Sequence, residues 1–224
     1  SPSPQAVTPP PPIAVSKIAS QVVLDQLPNT KVINVVHSEY DCETPLKDSL
    51  QIIKYVCIRP SIAEHIIKEH GIPRDKCVVI YNGVDRNRFK PIKQTFKDFY
   101  KIVIPCTLDT MREKFLNHII DSAGKEKRVY IYGMDCGAKL HTNGGWVQVF
   151  HDKFNIQDDI GDADEVAGIL FGRVNIEAWS CGVKSSIYDP ITLENTIYNP
   201  PEDFDQKYNI RNVVKQILLL LYNF

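Results

Sequence analysis

Short apolar runs rich in β-branched residues alternate with segments of helical periodicity along most of this 224-residue chain. The run 31–36 (Lys-Val-Ile-Asn-Val-Val) has the length and composition of a buried strand. Residues 61–71 instead place Ile62, Ile66 and Ile67 at helical spacing. Strands that alternate with helices of this length form βαβ units. The sequence therefore predicts an α/β protein with mainly parallel sheets.

The predicted elements fall into two groups that meet near residue 95. The predicted strands are 31–36, 55–58, 77–81, 101–105, 128–132, 146–150 and 183–188, and the predicted helices are 61–71, 111–122, 175–181 and 210–222. Residues 163–169 fit either a short helix or a strand at a sheet edge. We therefore expect a partial N-terminal domain over 1–95 and a C-terminal domain over 96–224 that includes the closing helix. The first twelve residues contain six prolines, which predicts extended or disordered chain.

The charge balance argues against a nucleic-acid binder. The chain carries 26 Lys and Arg residues against 27 Asp and Glu residues, whereas phosphate backbones require a concentrated basic surface. The six cysteines are spread through a chain that is long enough to bury a core without disulfides, which favours a reduced, cytoplasmic setting over a disulfide-bonded one. No apolar run reaches the roughly 18–20 residues that span a bilayer. Weak peripheral contact with a membrane surface stays an open alternative, because Arg211 and Lys215 lie on the last helix and Lys68 and Lys76 add to the basic residues.

Residues 158–165 carry five acidic side chains. Such a run is usually a solvated loop, and binding of a metal ion is the less favoured reading. The cysteines also have no clustered histidine partners, so the spacing of a zinc site is missing. We predict neither a metal site nor a bound cofactor.

The most informative segment for chemistry lies at 172–189. Gly172 opens a predicted helix, Glu177 lies one turn into it, and Gly182 ends it before a strand. Ligands of doubly wound sheets bind at the carboxyl ends of strands, where helix N-termini point free N–H groups at anions. Glu177 could accept hydrogen bonds from ribose hydroxyls while Arg173 attracts phosphate. On spacing alone, a surface turn with a capping glutamate explains the pattern at least as well.

A second segment, 61–91, combines several local signals. Ser61 and Glu64 have the spacing of a capping box, and Gly71 followed by Pro73 predicts the end of that helix. A strand then leads to 81–85 (Tyr-Asn-Gly-Val-Asp), where Asn-Gly predicts a tight turn. Each signal alone indicates only a strand-end loop, but the set of spacings is more specific.

Together these segments resemble the nucleotide-sugar glycosyltransferases of the GT-B fold, particularly family 4. In that family a helix, Gly-Ile-Pro, a strand, Asn-Gly-Val-Asp and Phe-x-Pro close the first domain, and Glu-Ala-x-x-x-Gly-Val lies in the donor-binding half. Both runs occur here in that order, and 101–115 and 130–133 resemble the phosphate loop and the next strand with its turn. The resemblance covers about residues 30–190. It implies two Rossmann-like domains and retaining, metal-independent transfer from a nucleoside-diphosphate sugar to a glycan, lipid or small-molecule acceptor.

The resemblance also implies roles for individual residues of the C-terminal domain. Glu177 resembles the second glutamate of the Glu-x7-Glu motif, which binds the donor ribose. Arg112 and Lys114 resemble the basic pair on the diphosphate. Gly172 and Arg173 fall in the loop that closes over the donor. These five residues are the predicted donor site.

In the N-terminal half, His37 follows a predicted strand where these enzymes often carry a histidine that faces the sugar and the acceptor. A structural histidine at a strand end is an equally good interpretation. The chain departs from the family at Ile169, where the first glutamate of the motif would fall, and at Thr107, where the phosphate-loop arginine would fall. Only about 30 residues precede the 31–36 strand, so we expect a reduced or truncated acceptor half, and the start at Ser1 suggests a fragment or a processed chain.

Two other functions stay open at this point. Ile169 and the missing N-terminal elements favour a degenerate nucleotide-binding or scaffold module that has lost transfer. A nucleotide-sugar epimerase is a weaker alternative, because it requires catalytic carboxylates in the cleft that the sequence does not place.

Overall fold

The structure is a computed structural model that describes residues 13–15, 24, 26, 29–38, 44–93, 96–141, 146–151, 153 and 155–222. The chain forms two compact units, Ser1–Asn82 with Arg211–Phe224, and Gly83–Ile210. Each unit is built on a mainly parallel sheet, which confirms the predicted α/β class. The prediction for the proline-rich start concerns residues outside the described part of the chain.

The first unit contains a four-stranded sheet in which neighbouring strands are parallel. Its strands are β1 (Ile13–Val15), β2 (Val32–Val36), β3 (Ile52–Cys57) and β4 (Cys77–Val79), in that order across the sheet. Helix α1 (Pro60–His70) and a short 3-10 turn (Arg74–Lys76) connect β3 to β4. Helix α6 (Ile210–Tyr222) returns to this unit at the end of the chain.

Both faces of the first sheet are covered by helices. Side chains of β2 alternate between the faces, so that Val32 packs with Ile62 and Ile66 of α1. Ile33 instead packs with Val213 of α6. A strand buried on both faces needs a continuous apolar run, which explains the pattern of 31–36. None of the helices described is long and apolar enough to cross a membrane.

The second unit contains a six-stranded sheet. Its strands are β5 (Tyr100–Pro105), β7 (Lys127–Tyr132), β9 (Val147–Phe150), β10 (Glu165–Ile169), β11 (Lys184–Tyr188) and β12 (Asn195–Tyr198), in the order β12-β11-β10-β5-β7-β9. All neighbours are parallel except the edge strand β12, which runs antiparallel to β11. The helices are α2 (Thr110–Ala123), α3 (Gln157–Gly161), α4 (Arg173–Ser180) and α5 (Phe204–Tyr208), and β6 (Leu108–Asp109) pairs with β8 (Asp135–Cys136).

The parallel strands give the second sheet two chemically distinct edges. We call the edge where β5, β10 and β11 end the carboxyl edge, and the edge where they begin the amino edge. Phe115 and Ile119 of α2 pack with Ile104 and Ile131 in the core of this unit. Because α2 follows the end of β5 along the chain, its N-terminus lies near the carboxyl edge.

The compact units differ from the predicted domains in two ways. Residues 83–93 belong to the second unit, because Ser180 donates a hydrogen bond to the carbonyl of Phe89 and Ile92 packs against Gly161. Helix α6 was expected to close the C-terminal domain, but from Arg211 onward it belongs to the first unit. Its apolar side packs on the first sheet through residues such as Val213 and Ile217.

One local prediction is wrong, and one that was left open is resolved. The capping box is wrong: α1 starts at Pro60 after Arg59, with no side-chain cap, and Glu64 instead accepts two hydrogen bonds of 2.7 Å from Arg74. Gly71 does end that helix, with φ of 65°. Residues 165–169, which fitted a short helix or an edge strand, form β10 inside the sheet. The edge strand β12 was not predicted.

Candidate functional site

The second sheet reverses its strand order next to β5. From β5 the chain continues to β7 and β9 on one side, and it returns to β10 and β11 on the other. The carboxyl ends of β5 and β10 therefore form a topological switch point, where open α/β sheets bind ligands. Helix α2 follows β5 and α4 follows β10. The two segments of the predicted donor site thus start from neighbouring strands.

Gly172 is the N-cap of α4 and is held by Asn175. The backbone N–H of Gly172 donates to Asn175 Oδ1 at 2.8 Å, and the N–H of Asn175 donates to the Gly172 carbonyl at 3.1 Å. Asn175 Nδ2 also donates to Ser185 Oγ on β11 at 2.9 Å, and both side chains are fully buried. This pair fixes the start of α4 to the sheet. Neither residue was predicted, although an Asn three positions after a helix-opening glycine has capping-box spacing.

Arg173 and Glu177 form an i,i+4 ion pair on α4. Arg173 Nε lies 3.1 Å from Glu177 Oε1, and the arginine side chain is 71% exposed while the glutamate side chain is 8% exposed. Burial raises the pKa of Glu177, and the positive charges of Arg173 and Arg88 oppose that rise. The result is a buried carboxylate beside an exposed guanidinium, which suits a ligand that has hydroxyl groups next to an anionic group.

The turn between β10 and α4 contains a strained residue. Leu170 has φ of 63°, a left-handed conformation that costs energy for any residue with a Cβ. It directly follows Ile169, the position at which the resemblance leads us to expect a glutamate. Ile169 brings no hydrogen-bonding side chain to this turn.

Arg112 lies in the first turn of α2, and Lys114 lies at the start of the second turn. Asp109 caps this helix: its Oδ1 accepts the backbone N–H of Arg112 at 3.0 Å, and its Oδ2 forms an ion pair with the Arg112 guanidinium. Lys114 is exposed and donates to the carbonyl of Ile191, in the loop after β11, at 3.2 Å. The role of Asp109 was not predicted, although an aspartate before a helix start is an N-cap signal.

The structure therefore brings five of the six predicted residues to one edge of one sheet. Gly172, Arg173 and Glu177 come from α4, whereas the two basic residues come from α2. His37 lies in the first unit, where it is exposed directly after β2. Its predicted contact with sugar and acceptor stays a prediction.

The acidic run at 158–165 is paired with lysines at the amino edge. Lys101, with a side chain only 9% exposed, lies 3.2 Å from Asp162. Glu165 accepts a 2.6 Å hydrogen bond from Lys184 and another of 2.9 Å from the Tyr100 hydroxyl. Across the part of the chain that the structure describes, no group of His, Cys, Asp and Glu residues is arranged to hold a metal ion.

Solved structures with a similar fold are glycosyltransferases. HepE from Anabaena, solved with UDP and glucose, superposes with a TM-score of 0.68 at 14% identity over 90% of this chain. The lipopolysaccharide outer core galactosyltransferase WaaB gives 0.64 at 12% identity over 96% of the chain. A glycosyltransferase from Rickettsia africae gives 0.60 at 14% identity over 94%. All three are of the GT-B type.

The chain has a GT-B fold. It spans 66% of the length of the Rickettsia protein, 74% of HepE and 76% of WaaB. No protein-family model matches the sequence, and a search of curated proteins gave no match. At these identities the likeness shows the fold alone. The GT-B fold nevertheless confirms the predicted class of two units with parallel sheets.

Proposed function

We propose that this chain is a glycosyltransferase, similar to family 4, that transfers a sugar from a nucleoside-diphosphate sugar to an acceptor. The observation that carries the proposal is the meeting of α2 and α4 at the switch point of a GT-B fold, each with candidate ligand-binding residues in its first turns. The complexes of HepE with UDP and with UDP-glucose support a donor of the UDP-sugar or GDP-sugar class. The acceptor is a glycan, a lipid or a small molecule.

In the proposed donor site, one carboxylate binds the ribose and three cationic side chains bind the diphosphate. Glu177 accepts hydrogen bonds from the ribose hydroxyls, because a buried carboxylate offers only acceptors. Arg112, Lys114 and Arg173 neutralise the diphosphate with help from the amide groups at the starts of α2 and α4.

Transfer breaks the bond between the anomeric carbon and the phosphate oxygen, the acceptor oxygen forms the new bond, and the proton of the acceptor hydroxyl passes to the departing phosphate. The nucleoside diphosphate leaves with the negative charge that develops in this step. Fixed cations and amide dipoles that face this charge stabilise the transition state. His37 would orient the sugar or polarise the acceptor hydroxyl. Retention, metal independence and the lack of a cofactor belong to the proposal. The anomeric configuration of the product tests retention, and activity of the purified chain in EDTA tests metal independence.

Calorimetry with a panel of UDP- and GDP-sugars tests the site. Glu177→Ala should weaken donor binding by about 10- to 100-fold, since hydrogen bonds to a charged group contribute about 1.5–3 kcal/mol. Glu202→Gln, an exposed change outside the proposed site, serves as the charge control and should leave binding unchanged. Donor binding that survives Glu177→Ala unchanged would remove Glu177 from the site.

A degenerate nucleotide-binding module is the second candidate. Two observations favour it: Ile169 is apolar where a carboxylate is expected, and Asp109 pairs with Arg112, so that the arginine already has a partner. Tight donor binding without hydrolysis or transfer in the complete gene product would support this module over an enzyme.

Weak contact with a membrane surface is a separate part of the proposal. Helix α6 exposes Val214, Leu218 and Tyr222, and Arg211 and Lys215 lie on the same helix. Such a face can rest on anionic lipid head groups. Co-sedimentation with vesicles that contain phosphatidylglycerol, compared with phosphatidylcholine vesicles, tests this contact.

A further inference from the structure

The carboxyl edge also contains a cavity of about 420 Å³. It is open to solvent and is lined by the turn after β10, the end of β11 and the strand β12. Its size falls within the range of about 300–1,000 Å³ that is typical of small-molecule sites. Two further cavities, lined by Trp146 and Lys125 and by Tyr100 and Lys127, lie at the amino edge, away from the switch point.

The cavity adjoins both segments of the proposed phosphate site. Leu170 and Phe171 line it and lead directly into Gly172. On its other side, the loop 189–194 receives the hydrogen bond from Lys114 through the carbonyl of Ile191. A ligand whose diphosphate lies on the first turns of α2 and α4 can therefore extend into this cavity.

The lining combines aromatic rings with hydrogen-bond acceptors. Phe171, Tyr188 and Tyr198 supply the rings, and Thr192 and Thr196 also line the cavity. Tyr188 is held in place by the ring of Phe115 at 5.4 Å and that of His118 at 6.0 Å, both on α2. Polar groups beside aromatic rings can bind a small polar ligand.

Two carboxylates line the cavity, and they differ in what they already bind. Asp189 Oδ1 accepts the backbone N–H groups of Ile191 and Thr192, both at 2.8 Å, so it holds its own loop. The side chain of Glu194 is exposed and makes no hydrogen bond or ion pair with any residue that the structure describes. Glu194 is therefore the carboxylate with acceptor capacity left for a ligand.

We propose that this cavity receives the sugar ring of the donor and that Glu194 accepts hydrogen bonds from its hydroxyl groups. The proposal rests on the proposed function, because it assumes that the diphosphate binds between α2 and α4. A sugar fits the lining because each hydroxyl can donate to a carboxylate, while aromatic rings cover its less polar faces. A second phosphate does not fit, because Glu194 and Asp189 would repel it.

The test compares UDP with UDP-glucose, and GDP with GDP-mannose, by calorimetry on the wild-type chain and on Glu194→Gln. A neutral amide is a weaker acceptor than a carboxylate, so Glu194→Gln should weaken binding of the preferred nucleotide sugar by about 5- to 10-fold. It should leave binding of the matching diphosphate unchanged or slightly tighter, because a repelling charge is removed. Glu202→Gln carries the same charge change outside the cavity and should alter neither affinity.

The possible results separate this proposal from the one on which it rests. Equal affinity of wild type and Glu194→Gln for the nucleotide sugar, with diphosphate binding intact, would overturn the sugar site and leave the donor site standing. If wild type bound no nucleotide or nucleotide sugar, both proposals would fail. Because Glu194 is exposed, its variant should unfold at the wild-type temperature, and this measurement excludes loss of fold as the cause of weaker binding.

Discussion

The carboxyl and amino edges of the second sheet are built on the same strands, but they hold their charged side chains differently. At the amino edge, Glu165 is buried and satisfied by three donors, and the buried Lys101 faces Asp162. At the carboxyl edge, Arg173 is 71% exposed and Glu194 is exposed. Charges of the first kind hold the sheet together, whereas charges of the second kind keep hydrogen-bonding capacity for a ligand.

Replacement of a glutamate by glutamine should change the free energy of unfolding more at the amino edge than at the carboxyl edge. Glu165→Gln should lower the free energy of unfolding by about 2 kcal/mol, because it removes a charged acceptor from Lys184, Ser186 and Tyr100. Glu177→Gln should change it by less than about 0.5 kcal/mol, since its partner Arg173 is largely exposed. Denaturant unfolding of both variants measures the difference. Equal losses would mean that the two edges are not specialised as argued.

The same pair of variants should show opposite dependence on pH. Burial opposes ionisation of Glu165, but hydrogen bonds from Lys184, Ser186 and Tyr100 outweigh it and lower its pKa. Its contribution to stability is therefore present near pH 7 and is lost as the pH falls through that lowered pKa. Burial raises the pKa of Glu177, so its carboxylate costs stability near pH 7, and the cost disappears as the pH falls through the raised pKa.

Unfolding measured from about pH 7 to about pH 3 makes this visible, because the scan then passes below the ordinary glutamate pKa of about 4.3. The stability of wild type relative to Glu165→Gln should shrink as the pH falls, and the stability of wild type relative to Glu177→Gln should grow. A change of the same sign in both comparisons would contradict the assignment of Glu177 as a carboxylate kept for a ligand.

Asn175 combines features of both edges. It is buried, like the charged residues of the amino edge, but it binds Gly172 at the carboxyl edge. Asn175→Leu removes its bonds to Gly172 and Ser185 and should weaken nucleoside-diphosphate binding about tenfold while lowering stability by about 1–2 kcal/mol. Ser185→Ala removes only the bond to the sheet and should cost stability with a smaller effect on binding. Calorimetry measures the effect of both variants on binding, and thermal unfolding measures their effect on stability. An equal loss of binding in both variants would mean that the bond from Asn175 to Gly172 does not position the loop for the ligand.

The sequence was sufficient to place α2 and α4, because their periodicity and the strands before them are local signals. The alternation of strands and helices also predicts that both helices start at a carboxyl edge. Which charges are paired could not be predicted. Asn175 reaches Ser185 only because β11 lies beside β10, and Lys101 reaches Asp162 across 61 positions of sequence.

Two further features could not be predicted, again because they depend on contacts between residues that are distant in sequence. Strand β12 (Asn-Thr-Ile-Tyr) is short and exposed, so its identity as a strand comes from pairing with β11 rather than from its own pattern. The amphipathic pattern of α6 predicts a helix with one buried side, but it does not specify which of two sheets that side covers.

The smallest expected effect concerns an ion pair between a residue that stabilises a helix and a residue that we propose to bind the diphosphate. Asp109 both caps α2 and holds the guanidinium of Arg112. Asn is as good an N-cap as Asp, so Asp109→Asn should change the free energy of unfolding by less than about 0.5 kcal/mol. It should raise affinity for a nucleoside diphosphate by about two- to fivefold, because a negative charge leaves the anion site and Arg112 is released. Calorimetry with UDP and GDP measures this gain, and Arg112→Gln in the same background should abolish it. Unchanged affinity in Asp109→Asn would mean that Arg112 does not face the diphosphate, and the site would then depend on Lys114 and α4.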